Sequence, residues 1–313
     1  PSARGLRSRR AGVRPGDRVS LVCENCLAAA ATILACSRMD AWVNLINARV
    51  TSEEIDKITR HAGARILVFT PQASAAAETH ASRFEAVECE PYLFGQVMIS
   101  PKRDVQPEPV YESGAEQVAA LIYTTGTTGD PKGVMLTHDN LLAASLASAN
   151  ARNLSANDSA YFILPMTHIF GFCSVFLASL RAGVRLEFTP RFEVTAFLDA
   201  LAKGVSVAQG VPAHYAAVLK HCKEHGITKL EAPRLRYCSA GGSPLDIDWK
   251  RRVEAFLGQQ LHNGYGMTEA SPGISATRIG YPCNDDSVGF ASHGVEIKLV
   301  PPPGMAEMHD GVG

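Results

Sequence analysis

Apolar positions along the chain fall in short β-rich runs that alternate with stretches of helical spacing. Residues 17–23 (DRVSLVC), 65–70 (RILVFT), 118–123 (VAALIY) and 235–239 (LRYCS) read as strands. Thr51 and Glu54 form a capping box that opens a helix closed by Gly63. Helical patterns recur at 138–152, 192–203, 212–225 and 244–257, and the most apolar run, 27–36 (LAAAATILAC), predicts a buried helix. Such alternation predicts an α/β fold with largely parallel sheet. No internal repeat or low-complexity segment interrupts it.

Residues 79–114 hold four prolines and little periodicity, so a linker is expected there. It would join a first α/β subdomain, 1–114, to a second, 115–313. Near the far end a strand is expected at 295–300, broken by PPPG at 301–304. The ending reads as cut. The arginine-rich start reads as a helix end, with GVRPGDRVSLV (12–22) passing through a Pro-Gly turn into a strand rather than forming a transit peptide.

Composition narrows the partners. The chain has 313 residues, 46% hydrophobic and 19% charged, with a formal net charge of −1. That balance suits a soluble globular protein and gives no electrostatic argument for nucleic acid or an anionic membrane. The run 27–36 is about half of the ~20 residues a bilayer span requires. Eight cysteines sit mostly among apolar neighbours, so free thiols in a reducing cytoplasm are expected. Cys23 and Cys26 form one C-x-x-C, but no second pair at zinc spacing follows it.

The chemistry begins at 124–133, TTGTTGDPKG. Glycines let backbone N–H groups converge on an anion, threonine hydroxyls add donors, and Lys132 supplies a fixed cation, which together describe a grip on polyphosphate. It is not a P-loop: counted from Gly126, Pro131 falls where the second glycine belongs and Gly133 where the magnesium-binding hydroxyl belongs. Further along, NGYGMTE (263–269) sets an aromatic ring between glycines and a hydroxyl beside a carboxylate. Tyr265 suits stacking on a base, and Glu269 suits a divalent cation. SAGGSPL (239–245) puts paired glycines at a strand end, where a flat ligand edge can approach the backbone, and LPMTHIFG (164–171) carries His168 among apolar residues.

Taken singly, each of these last three has a bland reading as a turn, a core ring or a satisfied histidine. HCKEH (221–225) matches the inverted zinc-protease pattern, but Gly226 ends its helix at once and a solvated helix end is the better reading.

Together and in this order, the four segments resemble the adenylate-forming superfamily of acyl-CoA synthetases, firefly-type luciferases and nonribosomal peptide adenylation domains. TTGTTGDPKG is similar to its phosphate-loop signature, LPMTHIFG to its acid-site motif, SAGGSPL to its adenine-side motif and NGYGMTE to its threonine-glutamate motif. RPGDRVSLVCEN, TSEEIDKITRHAGARILVF and LTHDNL extend the likeness over nearly the whole chain. The histidine of LPMTHIFG looks most like a free-standing acyl-CoA or aryl-CoA ligase. The resemblance implies stacked mixed β-sheets flanked by helices with a β-barrel-like part. It also implies that the C-terminal domain, with its catalytic lysine, is absent from this sequence, a fragment of the large domain.

The resemblance assigns roles as well. A carboxylate would attack the α-phosphorus of ATP, forming acyl-AMP and pyrophosphate, and CoA would then take the acyl group. Thr124, Thr125, Gly126, Thr127, Thr128, Gly129 and Lys132 would hold the β- and γ-phosphates. Thr268 would donate to the α-phosphate and Glu269 would bind Mg²⁺. Gly241, Gly242, Ser243 and Pro244 would line the adenine with Asn263, Tyr265 and Gly266. His168, Phe170 and Gly171 would line the acyl pocket, whose apolar neighbours favour a hydrophobic fatty or aromatic acid. A nucleotide-binding module without turnover, an acyl-AMP ligase that loads a carrier protein, and a homodimer remain open.

Overall fold

The computed structural model describes residues 11–89, 94–125, 131–281 and 283–301. Two seven-stranded mixed sheets, each flanked by helices, make up the fold.

The first sheet is centred on β1 (Arg18–Cys23), with β2 (Trp42–Asn47) and β3 (Ile66–Phe69) parallel to it on either side. These runs are apolar on both faces, as strands buried between layers must be. Helix α1 (Leu27–Ser37) connects β1 to β2, and Cys26 caps it through its sulfur. Helix α2 (Ser52–His61) opens on the expected capping box, with Thr51 Oγ1 accepting from Glu54 N and Glu54 Oε2 accepting from Thr51 N. Gly63 follows its end at a φ of +59°.

The segment expected to be a linker is only partly one. Helix α3 (Ala75–Arg83) runs through its start, and β4 (Val87–Glu88) and β5 (Met98–Ile99) extend the first sheet at the β3 edge. Short paired strands carry too few residues to show a period, so prolines dominated the reading. Past Gly114, β6 (Val118–Thr125) lies parallel to β2 and forms an antiparallel hairpin with β7 (Pro131–Thr137). The hairpin belongs to the first sheet, so the change of sheet falls after Thr137 rather than at Gly114.

Helix α4 (His138–Ala151), capped by Thr137, leads into the second sheet. There β8 (Ser159–Phe162), β9 (Arg185–Phe188), β10 (Val207–Gly210), β11 (Tyr237–Gly241) and β12 (Leu261–Gly266) are parallel. The antiparallel pair β13 (Gly273–Ala276) and β14 (Phe290–Ala291) finishes the edge. Between β8 and β9 the chain forms a π-helix, Phe170–Leu177, that runs into α5 (Ala178–Ala182). Helices α6 (Val194–Ala202), α7 (Pro212–Glu224) and α8 (Ile247–Leu257) cover the sheet; α8 starts three residues later than its pattern suggested because Asp246 caps it. Residues 295–300 form no strand: Ile297, Leu299 and Val300 are exposed without a paired neighbour among the described residues.

The main core lies between the sheets, where Val19, Leu21, Val43 and Ile66 meet Phe162, Phe172 and Phe176. Phe162 stacks on Phe176 at 6.3 Å. No helix of the described residues is long and apolar enough to cross a membrane.

Candidate functional site

The carboxyl ends of parallel strands are where an open α/β sheet leaves room for a ligand, because the chain departs in both directions there. In the second sheet the sequence-predicted segments collect at those ends. The 164–171 segment follows β8, SAGGSPL spans the end of β11, and NGYGMTE spans the end of β12.

Strand register brings two of these segments side by side. Ala240 pairs with Asn263 and Gly241 with Gly264. The acid-site segment reaches the same point, since a Cβ placed on Gly241 would stand 3.2 Å from Phe170 Cε1. Gly242 leaves the strand at a φ of +81°, with Ser243 and Pro244 exposed beyond it. Tyr265 projects an exposed ring from β12, free to stack. Gly266 could not be replaced without collision, because a Cβ there would meet Pro272 O at 2.2 Å.

Asn263 is engaged within the fold. Its side-chain Oδ1 accepts from Gly264 N at 2.9 Å, and Nδ2 donates to Ser287 O at 3.3 Å, so the amide ties β12 to the 283–287 turn. The second Nδ2 hydrogen is what such an amide retains for a base edge. Thr268 is buried and Glu269 exposed on the 3₁₀ turn Thr268–Ala270. One exposed carboxylate beside a hydroxyl fits Mg²⁺, which takes few protein ligands and completes its shell with water and substrate phosphates.

The acid-site segment is held from two directions. Asn25, at the end of β1, donates through Nδ2 to Phe162 O and Leu164 O, and its Oδ1 accepts from Met166 N at 2.8 Å. Gly171 opens the π-helix against backbone: a Cβ there would lie 2.2 Å from Pro165 O and 2.7 Å from Leu164 O. His168 Nδ1 accepts from Phe170 N at 3.3 Å, so its tautomer carries hydrogen on Nε2. Surrounding protein lowers the His168 pKa by desolvation, although the residue is reached by solvent, which favours the neutral ring.

The phosphate-loop segment divides. Thr124 and Thr125 end β6, Lys132 and Gly133 lie in β7, and Thr124 stands opposite Lys132, whose side chain is exposed. Gly126, Thr127, Thr128 and Gly129 lie outside the described residues. The hairpin is linked to the 164–171 segment through α4, which packs on the π-helix: Cys173 Sγ donates to Leu141 O, and Ser148 bonds Ser174.

Sequence reasoning missed a cavity of about 90 Å³ at the ends of β1, β2 and β8, lined by Glu24, Asn47, Arg49, Pro165, Thr167 and His214 among others. Glu24 is buried there, with Oε1 accepting from Arg49 Nε at 2.6 Å and forming an ion pair with Arg191 Nε at 3.5 Å. These partners lie 25 and 167 positions away from Glu24 in the chain, and nothing local in the sequence announces them. The HCKEH histidines stack at 4.1 Å on the end of α7, with His225 Nδ1 bonded to His221 O; among the described residues no group of three or more metal-ligating side chains gathers.

Residues 2–313 match the model of the family described as AMP-binding enzyme. A feruloyl-CoA synthase of Amycolatopsis sp is 32% identical over 310 residues, covering 96% of this chain and 59% of the relative. A 4-coumarate–CoA ligase 3 of Oryza sativa subsp. japonica is 29% identical over 325 residues, covering 96% and 56%. The crystal structure of ATP-bound MatB from Rhodopseudomonas palustris superposes with a TM-score of 0.79 at 27% identity, over 99% of this chain and 60% of that one. The chain thus spans a little under three-fifths of the length of the curated relatives it matches.

Proposed function

The chain belongs to the AMP-binding enzyme family, and from that premise we propose that it forms the nucleotide- and acid-binding part of an AMP-forming acid–thiol ligase for a hydrophobic carboxylic acid. The relatives named for feruloyl-CoA and 4-coumarate–CoA chemistry favour an aromatic acid of the hydroxycinnamate class. The observation that carries the reading is the meeting of Phe170, Gly241 and Gly264 at the strand ends, with the exposed Tyr265 ring beside them.

A carboxylate is a poor acyl donor at neutral pH. In the proposed reaction its oxygen attacks the α-phosphorus of ATP, the bond to the β-phosphate oxygen breaks, and pyrophosphate leaves with that electron pair. Catalysis is then mainly positioning and charge neutralisation. Thr124 and Lys132, with the loop between them, would meet the departing pyrophosphate, and Thr268 would donate to the α-phosphate. Glu269 would hold Mg²⁺, which when bound supplies positive charge to the phosphate oxygens. Tyr265 would stack on adenine, with Gly241, Gly242, Ser243 and Pro244 along its edge. The neutral His168 ring would offer its Nε2 hydrogen to the carboxylate without adding a fixed charge.

The acceptor would be CoA. Arg49 on the cavity and Arg191 beside it present cations suited to a phosphate-bearing thiol, and Pro165 and Thr167 connect that cavity to the acid-site segment. Thioester formation in full would also draw on the remaining two-fifths of the relatives' length.

The test is acid-dependent ATP–pyrophosphate exchange over a panel running from acetate through benzoates and hydroxycinnamates to palmitate. Exchange stimulated most by aromatic acids is expected. ATP binding by calorimetry without exchange for any acid would overturn the catalytic reading in favour of a nucleotide-binding module.

A further inference from the structure

Directly before the phosphate-loop segment, Tyr123 joins three pieces of the fold. Its hydroxyl lies 2.7 Å from Nδ1 of His61, the last residue of α2, and the two rings meet edge to face with centroids 5.6 Å apart. Across the hairpin Tyr123 stands opposite Gly133, one rung before the pair Thr124 and Lys132. A Cβ on Gly133 would lie 3.0 Å from Tyr123 Cζ and 3.2 Å from its hydroxyl oxygen, so the ring rests across the second strand on a position without a side chain. The glycine that ends TTGTTGDPKG therefore has a packing reason.

We propose that His61 and Tyr123 are positioning residues for Lys132 and Thr124. Among the described residues strand β7 is the last in its sheet and pairs with β6 alone, so the twist and tilt of the hairpin are weakly determined by the ladder itself. The tyrosine ring pins the two strands together, and the histidine fixes that ring to the end of α2. A lysine ammonium on a flexible stem gains most when its backbone origin is already fixed, because less freedom is lost as it meets the phosphates. This inference rests on the nucleotide-binding reading of the hairpin given above.

Tyr123→Phe removes only the hydroxyl, and His61→Ala removes its partner. Each is expected to lower the maximal rate of ATP–pyrophosphate exchange about fivefold, the worth of one hydrogen bond, while KM for the acid stays unchanged. The double variant should be no slower than either single one, and His61→Gln, which keeps an acceptor at similar reach, should recover most of the rate. Wild-type rates in both single variants would overturn the proposal. So would losses that multiply in the double variant while KM for the acid rises in step.

Should the wild-type protein show no exchange with any acid, the functional reading fails separately. Amide hydrogen exchange then decides the positioning: amides of 132–137 should exchange several-fold faster in Tyr123→Phe while those of 159–162 do not change. Equal rates in 132–137 would sink it.

Discussion

Phe170 rests the edge of its ring against the bare backbone of Gly241, with Cε1 3.2 Å from where a Cβ would stand. A π-helix residue and a strand-end glycine, 71 positions apart in sequence, thus form one wall of the proposed site.

Gly241→Ala should move that ring, because a methyl group at 3.2 Å is closer than ordinary carbon contact. The Phe170 side chain can turn, so folding should survive with a cost below about 1.5 kcal/mol. The acid preference should shift toward smaller acids. Exchange rates for acetate and a hydroxycinnamate measured side by side check this, and an unchanged ratio contradicts it.

Gly171→Ala should behave differently. The intruding methyl would meet the Pro165 carbonyl oxygen at 2.2 Å, and backbone cannot step aside as a ring can. A loss of about 3 kcal/mol is expected, read as a lower urea midpoint. A wild-type midpoint would show that the π-helix start is more adaptable than its geometry indicates.

Lys132→Ala and Glu269→Gln should each slow acyl-AMP formation at least about tenfold, or ~1.4 kcal/mol of transition-state stabilisation. Both side chains are exposed, so stability should barely change. Unaltered pyrophosphate exchange in both variants would remove them from the mechanism.

His262 supplies a pH signature. It is buried, stacked on Tyr237 at 4.7 Å, with Nδ1 3.2 Å from Thr277 Oγ1. Burial chiefly, with the charges of Lys250 and Arg152, lowers its pKa to about 4, against a raising effect from its hydrogen bonding at Thr277. In the unfolded chain it titrates near ~6.5. Between those values the unfolded chain binds the proton and the folded one does not. Its contribution is therefore complete above ~6.5 and lost as pH falls toward about 4, for a total of about 3 kcal/mol. Denaturation midpoints should fall across that window, and His262→Gln should flatten the fall; an identical slope in the variant counts against the assignment.

Much of this was legible in the residues themselves. The capping box at Thr51 and Glu54, the strands at 17–23 and 118–123 and the buried helix at 27–36 obey rules that act within a few positions, and the structure keeps them. The residue types and local spacing of TTGTTGDPKG, SAGGSPL and NGYGMTE suited a polyphosphate, a flat ligand edge and a base, while the acid entered only through the resemblance of the four segments to a known superfamily. The strand expected at 295–300 failed because apolar content does not supply a neighbour to pair with, and the prolines of 79–114 concealed two strands too short to show a period.

What the tertiary structure decided was adjacency. Register set Gly241 beside Gly264 and Ala240 beside Asn263. Packing brought Phe170 onto Gly241, His61 onto Tyr123, and Glu24 between Arg49 and Arg191. Chain entropy gives every distant pair a similar small chance of meeting, so no local pattern singles out one partner. The burial of a shared core between two sheets is what selects it.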